Sequence, residues 1–193
     1  MKKLWMIAAL GLIWGNAIAA AAEVKVDLHL PDVDIEGFLG DNQTVALWVK
    51  AAGKEGRIGK DLEGASVVLN QDAAASVMAA VSTTLRMAGF QLVPYRADAP
   101  LALMISLDSL NYSSEKNMVS SKVRASASMH ATVSRMGKKV AEKTLGASGE
   151  YVVAWRPSTD KIGEVVSETL ADNVRAVLED LEIKAALKGG SEN

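Results

Sequence analysis

The sequence predicts an α+β domain: a single antiparallel or mixed β-sheet of four to five strands with two α-helices packed on one face. Three observations carry that expectation. Two segments repeat apolar residues at three- and four-residue spacing, as amphipathic helices do. Several others alternate apolar and polar residues, as half-buried strands do. The order strand, strand, helix, strand, strand, strand, helix also lacks the regular alternation of a doubly wound parallel sheet.

The chain opens with Lys2 and Lys3, then the apolar run Leu4–Trp14 and a stretch of small residues, the layout of an export signal. Ala17-Ile18-Ala19 offers the small-x-small pattern that signal peptidase accepts, and a second cut is available after Ala22. The apolar run falls short of the ~20 residues that cross a bilayer as a helix. Residues 1–22 are therefore expected to be removed. Beyond them, 23–43 read as an extended N-terminal segment, 44–187 as the α+β domain and 188–193 as a disordered tail.

Val24, Val26, Leu28 and Leu30 alternate with Lys25, Asp27 and His29, and Pro31 ends the pattern, which predicts a strand. The acidic, glycine-containing stretch 32–42 reads as a loop. Val45–Ala51 is a stronger strand, after which Gly53, Gly56 and Gly59 break the chain. A helix is expected from an Asn70 cap, with Ala74, Val77, Met78, Val81, Leu85 and Ala88 as its apolar stripe and Gly89 closing it in the left-handed conformation. Leu101–Leu107 is almost wholly apolar, as a central strand is.

The clearest alternation follows, with Val123, Ala125, Ala127, Met129, Ala131 and Val133 on one side. Lys122, Arg124, Ser126, Ser128, His130 and Thr132 take the other. The small inward residues suit a helix lying close on the sheet. Met136-Gly137 makes a turn, and Val140–Val153 returns as the antiparallel partner. Ser158 caps the last helix, whose stripe runs from Ile162 to Leu181.

No cysteine is present, which removes thiol nucleophiles, disulfides, thiolate metal sites and acylation on cysteine. The formal net charge is -2, and removal of Lys2 and Lys3 makes the chain more acidic. Nucleic acid is not an expected partner, because no cationic field is available to neutralise phosphates. After the signal, Asp, Glu, Lys or Arg interrupts every apolar stretch, so no transmembrane span is expected.

The run Leu85-Arg86-Met87-Ala88-Gly89-Phe90, the segment Leu103–Tyr112, the serine-rich hairpin and a closing helix with Leu170, Leu178-Glu179-Asp180 and Leu187 resemble the YajG family of bacterial envelope lipoproteins. The resemblance covers Val45 to Leu187. It implies a periplasmic protein tethered at the outer membrane and having no defined molecular activity. Members carry a lipidated cysteine at the cleavage point, where this sequence has Ala19-Ala20.

Tests for reactive constellations find little. His29 and His130 fall on the polar sides of different strands and read as solvent-facing. Ser126 or Ser128 near His130 lacks the orienting acid and the nucleophile turn of a hydrolase. Asp32-Val33-Asp34-Ile35-Glu36-Gly37 begins like a calcium loop, but the twelfth position is Gln43 and the closing carboxylate is missing. Glu164, Glu168 and Asp172 read as a hydrated helix face.

The candidate interaction surface is the strip Lys122, Arg124, Ser126, Ser128, His130 and Thr132, with no catalytic, cofactor or metal residues assigned. The expected protein is a non-catalytic periplasmic accessory protein that binds another envelope component, a protein or a glycan. The alternative is a carrier of a small apolar ligand held between the helices and the sheet.

Overall fold

The computed structural model describes residues 22–35, 37, 40–51 and 56–189. All but the last residue of the expected signal segment 1–22, the loop residues 52–55 with Gly53, and the end of the tail lie outside the described residues. The strands are β1 (Glu23–Val26), β2 (Thr44–Ala51), β3 (Arg57–Lys60), β4 (Ser66–Leu69), β5 (Gln91–Pro94), β6 (Ala102–Lys116), β7 (Ser121–Arg135) and β8 (Lys138–Val153). The helices are α1 (Ala73–Met87), α2 (Thr159–Glu179) and α3 (Leu181–Lys188).

The expected sheet of four to five strands with two helices on one face is incorrect. Eight strands form one mixed sheet that curls into a half-barrel around three helices. Its spine is an antiparallel meander, β6-β7-β8, in register almost throughout. On its other side β6 takes two partners in succession. Its first half pairs in parallel with β2, which also carries β5. Past a bulge between Leu107 and Ser109, Gly59 of β3 pairs with Tyr112, and β4 and β1 extend that branch. The sheet therefore forks at the bulge, which turns the strand and strengthens its twist.

The fork depends on close backbone approach. A Cβ on Gly59 would lie 1.9 Å from the Tyr112 carbonyl oxygen, so only glycine lets β3 meet β6 there. β3, β4 and β5 are the strands that the sequence pattern missed. Each has four residues, too few to display a period, and glycines flank the first.

α1 starts two residues later than expected. Asp72, not Asn70, is the cap, accepting from the Ala74 amide at 2.8 Å, while the Asn70 side chain donates to Asp27. Gly89 does close this helix, with φ at 86°. The last helix is two helices. Asp180 adopts extended backbone, ends α2 and accepts from the Glu182 and Ile183 amides at 3.0 Å each, starting α3. Leu181, expected on the buried stripe, is 82% exposed as a result, whereas Ile183 and Leu187 are sealed.

One core runs under all three helices. The α2 residues Val165, Val166, Leu170, Val174, Val177 and Leu178 are inaccessible, as are Met129, Ala131 and Val133 on the facing strand. Ala125 and Ala127 remove bulk there, and Asn173 of α2 reaches the backbone, donating to the Ala127 and Leu145 carbonyls at 3.1 Å each. This packing fills the space between α2 and the sheet, while a cleft of about 600 Å³ opens between the start of α1, at Ala73 and Ala74, and the strand residues Ile58, Leu69 and Leu107. No described helix is long and apolar enough to cross a membrane.

Candidate functional site: the polar outer face of the meander

Alternation places every second residue of β7 on the sheet face away from α2. Lys122, Arg124, Ser126, Ser128, His130 and Thr132 all lie there, more accessible than their fully buried inward neighbours. The register then shows what the single-strand reading missed. Across from Arg124 stand Ser113 and Glu150, across from Ser126 stand Asn111 and Ser148, and across from His130 stand Ser106 and Thr144. The signal for these residues was present in the period-two pattern of β6 and β8, but pairing them required the register.

The strip is charged at both ends and hydroxylic in the middle. At one end Glu150 meets Lys122 at 2.5 Å and Arg124 at 2.6 Å, and Arg124 also faces Glu115 at 3.7 Å. Hydrogen bonding from Lys122, then from Arg124, holds the Glu150 carboxyl below the usual carboxylate range, while Glu150 raises Arg124. At the other end Glu142 bonds Lys139 and lies 3.0 Å from His130 Nε2. Lys139, and after it His130, lowers the Glu142 carboxyl against an opposing desolvation.

Between these ends the side chains are short. Asn111, Ser113, Arg124, Ser126, Ser148 and Glu150 line a shallow trough of about 260 Å³. Its walls offer hydroxyl and amide groups that both donate and accept, flanked by a guanidinium and a carboxylate.

His130 has the neighbours of a catalytic relay without a catalytic setting. Its Nδ1 is 2.9 Å from the Thr144 hydroxyl and its Nε2 is 3.0 Å from Glu142. A carboxylate only accepts, so in the neutral ring Nε2–H donates to Glu142 and Nδ1 accepts from Thr144. The three groups stand on an outward sheet face, with no nucleophile turn positioning the hydroxyl. The two bonds fix the ring between Thr144 and Glu142.

The other sequence candidates are dispersed. His29 is exposed, and its amide donates to Ser167 on α2 at 2.9 Å. In the segment that begins like a calcium loop, Val33 is buried and its carbonyl accepts from Thr84, while Glu36 lies outside the described residues. Glu164 pairs with Lys161, Glu168 accepts from the Tyr151 hydroxyl and Asp172 pairs with Arg175, so the acidic ridge is spent on local partners.

A curled mixed sheet backed by helices is a fold shared with a solved bacterial protein. The chain is similar to the protein XCC0632 from Xanthomonas campestris, a DUF330 protein, at TM-score 0.54 and 14% identity over 86% of this chain and 99% of that one. It is also similar to the hypothetical protein CT253 from Chlamydia trachomatis, at TM-score 0.47 and 10% identity over 77% of this chain and 99% of that one. A minor lipoprotein from Acinetobacter baumannii matches at TM-score 0.45 and 10% identity over 73% and 93%.

Residues 55–188 match the family described as an uncharacterized lipoprotein, and the chain belongs to that bacterial lipoprotein family. Membership associates it with the cell envelope. No curated protein matches the chain.

Proposed function

We propose that this is an exported, periplasmic protein of the YajG type that performs no chemistry and docks another envelope component, a protein or a glycan, on the outer face of β6-β7-β8. The observation that carries this reading is the continuous polar strip. The three strands run fifteen or sixteen residues each, and no described helix covers their outer side.

The chemistry of the strip supports a polar partner. Serine, threonine and asparagine side chains cost little entropy to order, and the trough beside Arg124 and Glu150 presents matched donors and acceptors to hydroxyl or amide groups. The export signal and membership in a lipoprotein family support the address. The missing cysteine distinguishes this chain from acylated members of the YajG type.

Site-specific photocrosslinking in growing cells tests the reading. A photoreactive residue at Ser126 or Ser148 is expected to give a discrete adduct that the same residue at Glu164, on the water side of α2, does not give. No adduct from the strip, or the same adducts from all three positions, overturns it.

A further inference from the structure

The end of the meander that carries Lys116 and Ser121 runs past the last strand pairing on its β6 side. β3 pairs with β6 at Tyr112, and Ser113–Lys116 with their partners on β7 and β8 continue about 13 Å beyond it, with Leu62 and Glu63 of the β3–β4 turn alongside. At the apex, where the backbone turns between Lys116 and Ser121, Met118 is fully exposed and Val119 is 85% exposed. Trp155, 82% exposed, lies beside them on the same cleft. The turn and the indole share the walls of one cleft of about 510 Å³, so they form a single surface.

An apolar apex on a hairpin turn is the reverse of what water favours, and three large side chains there call for an occupant. The order of residues along the turn identifies it. Met118 and Val119 form the apex of a turn closed by the Asn117 and Ser120 backbones, Lys116 ends the strand before it, and Trp155, Arg156, Leu62 and Glu63 line the same cleft. That succession matches hydrocarbon, interface and phosphate in a bilayer: indoles settle at the headgroup level and cationic side chains reach back toward phosphates. Arg156 lies 3.1 Å from Glu63, whereas Lys116 has no ion-pair partner among the described residues and is free to meet a phosphate. A partner protein would more commonly be met by a broad, flat patch than by a tight turn.

We infer that the Met118-Val119 turn and Trp155 form a membrane-insertion tip that docks this protein on a lipid bilayer, with Lys116 facing the phosphates. The apolar side chains supply the attraction, and the cation adds a minor part that depends on anionic lipid. Docked in this way, the meander stands up from the membrane with its polar strip facing sideways into the periplasm. The tip is a separate observation from the strip and does not depend on the strip having a partner.

Flotation of the purified protein with vesicles of phosphatidylethanolamine and phosphatidylglycerol tests the tip. The wild-type chain is expected to float, and the double variant Met118→Ser, Val119→Ser is expected to bind about tenfold or more weakly, from two lost apolar burials. Both residues are exposed, so the variant is expected to keep its folded circular dichroism spectrum. Trp155 fluorescence should shift to the blue on binding and be quenched by brominated lipid, a quenching that Trp155→Phe removes. Ser126→Arg, on the strip, should float like the wild type.

The inference fails if the wild-type chain stays with the unbound fraction, or if the double variant floats equally well. It fails also if the tip crosslinks to a protein in cells while vesicles leave Trp155 unshifted.

Discussion

Asn173 sits inaccessible between α2 and the sheet, where its amide donates to carbonyls of two strands and its own oxygen finds no partner. The isosteric change Asn173→Asp replaces the donor with an oxygen facing two oxygens, so the folded state must hold a buried unpaired charge. Urea unfolding is expected to show a loss of about 3–5 kcal/mol at neutral pH. The carboxyl of the folded variant is pushed upward, so the penalty shrinks as pH falls and the group protonates. Tyr151 supplies a second test. Its hydroxyl bonds Glu168, which with burial pushes the phenol up to about 12. A raised folded value means that this stabilisation is complete below the ordinary tyrosine range and is lost as pH rises through about 12. Ultraviolet titration of Tyr151→Phe should show one phenolate step fewer at high pH than the wild type, the raised Tyr112 phenol remaining. The outward residues of β7 were legible because alternation alone assigns faces. The bonds of Asn173 were not, because a buried asparagine looks in sequence like any polar residue on a helix.

Among the elements, long ones were legible and short ones were not. β7 declared itself over fifteen residues, and its inward alanines foretold a close helix. β3 and β4, at four residues each, were hidden among glycines and a short apolar run. The break between α2 and α3 was hidden for another reason: Leu178, Leu181 and Leu187 continue an apolar spacing that a straight helix would satisfy. Asp180 overrides it by capping a new helix that turns Ile183 inward. Asp180→Ala should therefore cost about 0.5–2 kcal/mol in thermal or urea unfolding. It should also speed hydrogen exchange in α3 while leaving α2 protected. At the fork, Gly59→Ala drives a methyl group into the Tyr112 carbonyl and should cost above ~3 kcal/mol, with exchange fastest over Arg57–Lys60. A stable Gly59→Ala protein with β3 still protected contradicts the described junction.

At the scale of the molecule, a count of alternating segments suggested a sheet of four to five strands because it assigns strands without saying how they join. Curl comes from β6 taking β2 and then β3 on the same side, a long-range choice set by the bulge at Asp108 and by Gly59. That curl wraps the sheet around the helices while the outward side of β7 stays polar, and the functional reading rests on that strip being free. The chain contains no cysteine, so single thiols placed on β7 report access directly. In the purified protein, Ser126→Cys is predicted to react with a maleimide as fast as an unfolded thiol, while Ala127→Cys, one residue along and under α2, stays protected until the protein unfolds. In intact cells the Ser126→Cys reaction should slow as the envelope partner covers it. Protection of Ser126→Cys in the purified protein, or equal rates at the two positions, would contradict the account.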